Sequence, residues 1–183
     1  MCAASATLCA GAAQAVAESP VDQLLVGMSM NNLLSLDPGA ATGLDAMTVG
    51  CNLYDSLLET DAHDAARLQP ALAQAWTVSQ GGRRLVLQLR HDVRFASGQP
   101  LLAEHAAWSL QRVLKLNLAP ATVWKSYGFS AARIAGQIQA TGPHTLQVDL
   151  PQPTDPTLVL MTLATSMSAL VLDRDTVLAH EQQ

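Results

Sequence analysis

The stretch from Leu68 to Val113 constrains this chain most, because two different periodicities meet in it. Leu85, Leu87 and Leu89 alternate with Arg84, Val86, Gln88 and Arg90. A period of two puts successive side chains on opposite faces, so this run predicts a half-buried strand with its leucines inward. Val93 and Phe95 continue the pattern after a break at His91-Asp92. From Ala103 to Leu116 the period changes. Ala103, Ala106/Ala107, Leu110 and Val113/Leu114 recur at helical spacing and predict an amphipathic helix with that face in the core. Gly81-Gly82 supplies the turn ahead of the long strand, with a brief strand around Trp76 to Val78 before it, and Pro70 suits the first turn of a short helix over 70–75.

The same reading extends along the chain. Leu24 to Met28 predicts a short buried strand, followed by a polar turn at Ser29 to Asn32. Leu36-Asp37-Pro38 ends an extended segment, since a proline pushes the residue before it out of the helical region. Met47, Gly50/Cys51, Tyr54 and Leu57/Leu58 recur at helical spacing and predict a helix over 44–58 with that face in the core. A second hairpin is predicted where Ile134, Ile138 and Ala140 alternate with Gln137 and Gln139, turn at Gly142-Pro143-His144, and return as Leu146, Val148 and Leu150. Asp155-Pro156 reads as N-cap and first position of a helix over 157–164. Ser168 to Leu172 reads as a strand, and Asp173 as the cap of a last helix. Strand hairpins with packed helices make an α+β layer, which by itself is unlike a doubly wound parallel sheet.

Several function classes fall away. A chain of 183 residues is long enough for one ordinary domain with a sizeable core. Its net charge is -5, with two lysines against eight arginines and no basic run, which argues against a nucleic-acid partner. His63, His91, His105, His144 and His180 form no HExxH or i, i+4 pair, and no CxxC occurs, so they read as scattered surface histidines and no metal is expected. No G-x-S-x-G elbow and no phosphate loop is present, so no catalytic residue and no cofactor is assigned. Trp76 and Trp108 read as packing residues, while Trp124, near Lys125 and Tyr127, reads as a candidate exposed contact. Arg90 and Arg94 read as a solvated edge or a packing ion pair.

Residues 1–17 carry no charge and end in Ala15-Val16-Ala17, a small-x-small pattern that predicts a signal peptide cut before Glu18, although the positively charged start of such a segment is incomplete. The alternative is an Ala-rich tail. The stretch is a poor membrane span, and neither Cys2 nor Cys9 follows a lipoprotein pattern. Cleavage leaves Cys51 alone, expected as a buried inert thiol.

Individual residues add a resemblance. Leu36-Asp37-Pro38, Tyr54-Asp55-Ser56-Leu57, the Pro70/Leu72/Ala73/Trp76 segment, Leu89-Arg90 and the Phe95/Gly98 turn, taken together, resemble the extracytoplasmic solute-binding proteins of ABC importers, family 5, which includes oligopeptide- and dipeptide-binding proteins. The resemblance covers nearly all of the chain after Ala17. It implies the small N-terminal lobe of a periplasmic-binding-protein-like (type II) fold, with a mixed sheet, hairpins and packed helices and with the second lobe missing; residues 18–183 would be the N-terminal part of the family domain. It further implies a substrate-binding component of an importer for peptides or similar solutes, present as a truncated chain, periplasmic, not membrane-spanning and not an enzyme, with ABC permease and ATPase subunits as partners. The loop Ala41, Thr42, Gly43 and Leu44 would lie near the solute. The alternatives are a non-functional fragment or a stand-alone interaction module from the same lobe.

Three places depart from the family's pattern. Leu102 stands where a capping threonine is usual, a loss expected to cost about 1 kcal/mol. His105 replaces a common aspartate and would set a cation where the helix dipole prefers an anion. Gly81-Gly82 replaces Asp-Gly and keeps the turn.

Overall fold

A computed structural model describes Asp22, Gln23, Gly27, Leu33, residues 35–41 and residues 43–180. The readings for residues 1–17, for the strand Leu24 to Met28, for the turn Ser29 to Asn32 and for Thr42 fall outside the described residues, apart from Gly27.

The alternating leucines form the centre of the fold. Strands β3 (Ala73–Ser79), β4 (Arg84–Leu89), β5 (Ile138–Gly142) and β6 (Thr145–Asp149) make one sheet in the order β3-β4-β6-β5. Every pairing among the described residues is antiparallel, so the parallel pairing that a mixed sheet would add is not found among them. Leu85, Leu87, Leu89, Leu146 and Val148 are fully buried, as their period demands. Leu87 lies between Trp76 on β3 and Leu146 on β6. The β3–β4 turn holds Gln80, Gly81 and Gly82 at φ 53, 63 and 89, and the two glycines take that left-handed geometry without the strain a Cβ would add.

Helix α2 (Ala103–Lys115) packs on β5 and β6 and buries the predicted face of Ala103, Ala106, Ala107, Leu110, Val113 and Leu114. Its start is closed differently from expectation. Leu102 offers no side-chain acceptor, but the Nδ1 of His105 accepts the Leu102 N–H at 3.1 Å. This is half of a capping box, made by the residue three positions on. His105 is 3 % exposed and stacks edge-on against Phe95, so it is a core residue, not a surface histidine, and the nitrogen that accepts carries no proton. Helix α5 (Pro156–Thr165) starts as read, with Asp155 accepting from the Thr157 N–H at 2.8 Å. Short helices α3 (Ala121–Ser126) and α4 (Ile134–Gln137) lie between α2 and β5. Ile134 therefore belongs to a helix, and Ala140 on the edge strand is exposed.

Four other expectations are corrected. Helix α1 runs only from Leu44 to Leu53, because Tyr54 turns extended and Leu58–Thr60 pairs as β1 with β2 (Leu68–Pro70). Its buried face is Ala46 and Gly50; Met47, Cys51 and Leu53 face solvent. The reason is a close approach: a Cβ on Gly50 would clash with the Met167 methyl, so the small residues mark the contact and the large ones do not. No helix forms over 70–75, because those main-chain groups are taken by strand partners; Ala73 donates to Leu57 O at 2.8 Å and Leu72 O accepts from Arg90 at 2.9 Å. Ser168 to Leu172 is not a strand. A 3₁₀ turn (Met167–Ala169) leads to an extended run held by Val171 N to Asp55 O at 3.1 Å and by Leu172 N to Ser109 Oγ at 3.0 Å. Trp124 is fully buried, and its Nε1 donates to Ser168 Oγ at 2.8 Å, so it is a core anchor and not an exposed contact. The last helix, α6 (Arg174–His180), is capped by Asp173 as expected, through Thr176 N at 3.3 Å and Thr176 Oγ1 at 2.7 Å.

Candidate functional site

The site is built around the turn that begins at Leu36. Asp37 folds that turn back on itself, its carbonyl accepting from Ala40 and Ala41 and its Oδ1 from Gly39 N at 2.9 Å. The other carboxylate oxygen pairs with Arg112 on α2 at 2.8 Å, and the Tyr54 hydroxyl donates to Leu36 O at 3.1 Å. Burial, helped by the Asp37 charge, pushes the Tyr54 phenol above its ordinary pKa, so it stays protonated as that donor. The Leu-Asp-Pro element is thereby fixed to the end of α1 and to α2.

This turn leads into residues 41–44, the loop that the resemblance places near a solute. Ala41 is buried with Ala46, Met167 and Leu170. Gly43 caps α1 at φ 90, a conformation that needs glycine, and Leu44 is 78 % exposed at the head of the helix. The described part of the loop thus presents one apolar side chain, Leu44, to solvent.

The far end of α1 borders two depressions that share Tyr54 and Asp55. The smaller, about 210 Å³, lies against Cys51, Glu59, Thr165 and Met167. The larger, about 370 Å³, has apolar walls of Leu53, Leu72, Val93, Phe95, Leu101 and Val171, with Arg94, Ser97 and Asp173 at its rim. Gly98, at φ 87, lets the turn after Phe95 close, and Ser97 Oγ then donates to Asp173 Oδ2 at 2.6 Å. Partial burial works to raise the Asp173 pKa, but the hydrogen bonds from Ser97 and Thr176 outweigh it and hold the carboxyl below the usual range. None of Ala41, Gly43 or Leu44 lines either depression. Tyr54 and Asp55 border both; their Tyr-Asp-x-Leu motif was the available signal, whereas Met167, Ser97 and Asp173 carry none because chain folding brings them there.

Comparison with known families settles what this geometry belongs to. The family described as "Bacterial extracellular solute-binding proteins, family 5 Middle" matches residues 67–178. The chain belongs to this family. Among relatives of this family-5 chain, the "Probable deoxycholate-binding periplasmic protein YgiS" of Escherichia coli K12 is 30% identical over 134 residues, 65% of this chain and 24% of that protein. The "Periplasmic oligopeptide-binding protein OppA" of the same organism is 28% identical over 144 residues, 72% of this chain and 26% of its own length. The solved structure of the Escherichia coli murein tripeptide binding protein MppA superimposes with a TM-score of 0.66 at 25% identity, over 79% of this chain and 30% of that one. The family-5 chain therefore has the α+β fold of a periplasmic-binding-protein (type II) lobe, and it spans about a quarter of the length of these curated relatives. Among the described residues no helix is long and apolar enough to cross a membrane.

Proposed function

We propose that residues 18–183 form the N-terminal part of the substrate-binding component of an ABC importer for peptides or similar solutes, exported to the periplasm and delivering its solute to permease and ATPase subunits. The family match over residues 67–178 carries this reading. The site supports it in kind. Recognition pockets of this size are mostly apolar with a few polar groups that orient the ligand, as in the depression between Leu53, Phe95 and Val171. Ala41, Thr42, Gly43 and Leu44 are the proposed solute-side loop, with Leu44 already exposed and Ala41 anchoring it to the core. In a two-lobed binder the solute selects the closed state by touching both walls, so this lobe supplies one wall of the cleft.

Two measurements test the reading. With a positively charged start supplied upstream, intact mass of periplasmic material should give a mature N-terminus at Glu18; material that stays cytoplasmic with Met1 attached despite that start contradicts export. Titration calorimetry of a two-lobed protein in which residues 18–180 replace the aligned portion of a family-5 relative, with uncharged and charged di- to pentapeptides, should give saturable one-to-one binding. A folded, monodisperse protein that takes no peptide contradicts the solute assignment.

A further inference from the structure

We infer that the start of α2 is a proton-sensitive latch: His105 closes it while its imidazole is neutral, and protonation of that ring releases Leu102 and loosens the wall of the larger depression. One hydrogen bond carries the inference. The Nδ1 of His105 accepts the Leu102 N–H at 3.1 Å, and a ring nitrogen that accepts cannot also hold a proton. A capping box is ordinarily closed by Glu or Gln, whose oxygens go on accepting at mildly acidic pH. An imidazole does the same work only above the range, near pH 6.5, in which histidines take up a proton.

Position gives this bond its reach. Leu102 follows directly on Leu101, which is buried in the wall of the larger depression and held there by Leu101 N to Val93 O at 3.0 Å. Phe95, on the same wall, meets the His105 ring edge-on with centroids 5.0 Å apart. The next amide of α2 is held independently, since Ala103 N donates at 2.7 Å to Pro143 O in the β5–β6 turn. Release is therefore local: residues 93–102 loosen while α2 stays docked on its sheet.

The surroundings decide which form of the ring closes the latch. His105 is 3 % exposed, so an imidazolium there would lose the Leu102 bond, sit away from water and face the positive end of α2. Further titratable groups gather on the same side. His144, in the turn that holds Ala103, stacks on His91 with ring centroids 4.0 Å apart, and its Nδ1 is buried without a hydrogen-bond partner among the described residues. Arg90, beside His91, is paired with Asp92, and Arg94 donates to Gly98 O at 2.9 Å. Two carboxylates oppose these cations. Asp173, ahead of α6, lies within electrostatic reach of His105, but its Oδ2 already accepts from Ser97 Oγ at 2.6 Å and Thr176 Oγ1 at 2.7 Å. Glu104 is paired with Arg174 at 3.3 Å. Neither carboxylate hydrogen-bonds His105 among the described residues, so a charged ring gains their attraction without a direct bond to replace the one it gives up.

Urea unfolding of the 183-residue chain between pH 8 and pH 5, beside His105→Gln, is the test. Gln accepts from the same amide and does not titrate, and the other histidines cancel in the difference between the two proteins. The unfolded chain takes up the His105 proton below about pH 6.5 and the closed latch does not, so the wild type should lose stability relative to the variant below that pH, by up to about tenfold in the folding constant per pH unit. Hydrogen exchange, corrected for its intrinsic pH dependence, should rise over residues 93–102 of the wild type at pH 5 and stay level in the variant. Should His105→Gln fold poorly, His105→Glu takes its place, being an ionised acceptor through the whole range. The same pH dependence in the wild type and a folded variant, level exchange over residues 93–102 of the wild type, or a His105 Nδ1 that nitrogen-15 NMR finds protonated at pH 8, overturns the proposal.

Discussion

Leu87→Ala tests the centre of the fold. Leu87 sits on the central strand pair, flanked by Trp76 and Leu146, and has no exposed surface. Removing its γ and both δ carbons forfeits about 2.4 kcal/mol at roughly 0.8 kcal/mol per buried carbon group. A site walled by β3 and β6 can collapse only partly, so a cavity term adds to this and the full cost is about 2–5 kcal/mol. Gln88→Ala is the control. Gln88 is exposed and loses only a 3.1 Å hydrogen bond from Thr145 Oγ1, worth about 0.5 kcal/mol at that exposure. Urea melts followed by circular dichroism should show a large fall in midpoint for Leu87→Ala at unchanged m-value, and almost none for Gln88→Ala. Equal shifts would refute the register of β4 and with it the assignment of the core face.

Two further outcomes follow from single side chains. Asp149 accepts two hydrogen bonds from the Arg84 guanidinium, at 2.6 and 3.0 Å, and these hold its carboxyl below the usual carboxylate pKa despite partial burial. A depressed folded pKa contributes stability above the unfolded value of about 3.9 that is lost as pH falls through the folded one. The stability gap between wild type and Asp149→Asn should therefore shrink below about pH 4 in acid titrations; a gap independent of pH contradicts the pairing. Cys51 is exposed on α1, so in a Cys2→Ser, Cys9→Ser background the native protein should react with Ellman's reagent at close to the rate of the urea-unfolded chain. Protection until unfolding would mean that its face of α1 is covered.

What the sequence made legible was local. Leu85, Leu87, Leu89, Leu146 and Val148 share one period and one face, and Asp155-Pro156 and Asp173 cap helices through atoms two or three residues away. Long-range contacts were not readable. Gly50 looks like a weak helix residue until Met167 arrives against it, and Trp124 in a polar stretch gives no hint of Ser168, 44 positions on. His105 in a capping role was illegible for a different reason, since an imidazole nitrogen can do the work expected of a carboxylate. The loop proposed to face the solute came from family resemblance, and the larger depression beside Tyr54 came only from folding, because Leu53, Phe95 and Val171 lie far apart in the chain.

The most direct test is a fusion in which residues 18–180 replace the aligned portion of Escherichia coli MppA, titrated calorimetrically with murein tripeptide beside the isolated chain. If the chain supplies one wall of a two-lobed binding cleft, the fusion binds one tripeptide saturably at micromolar concentration. The isolated chain, with few contacts to offset the association entropy, binds no tighter than about 1 mM. A folded fusion that takes no tripeptide, or an isolated chain that binds it at micromolar concentration, would contradict the account.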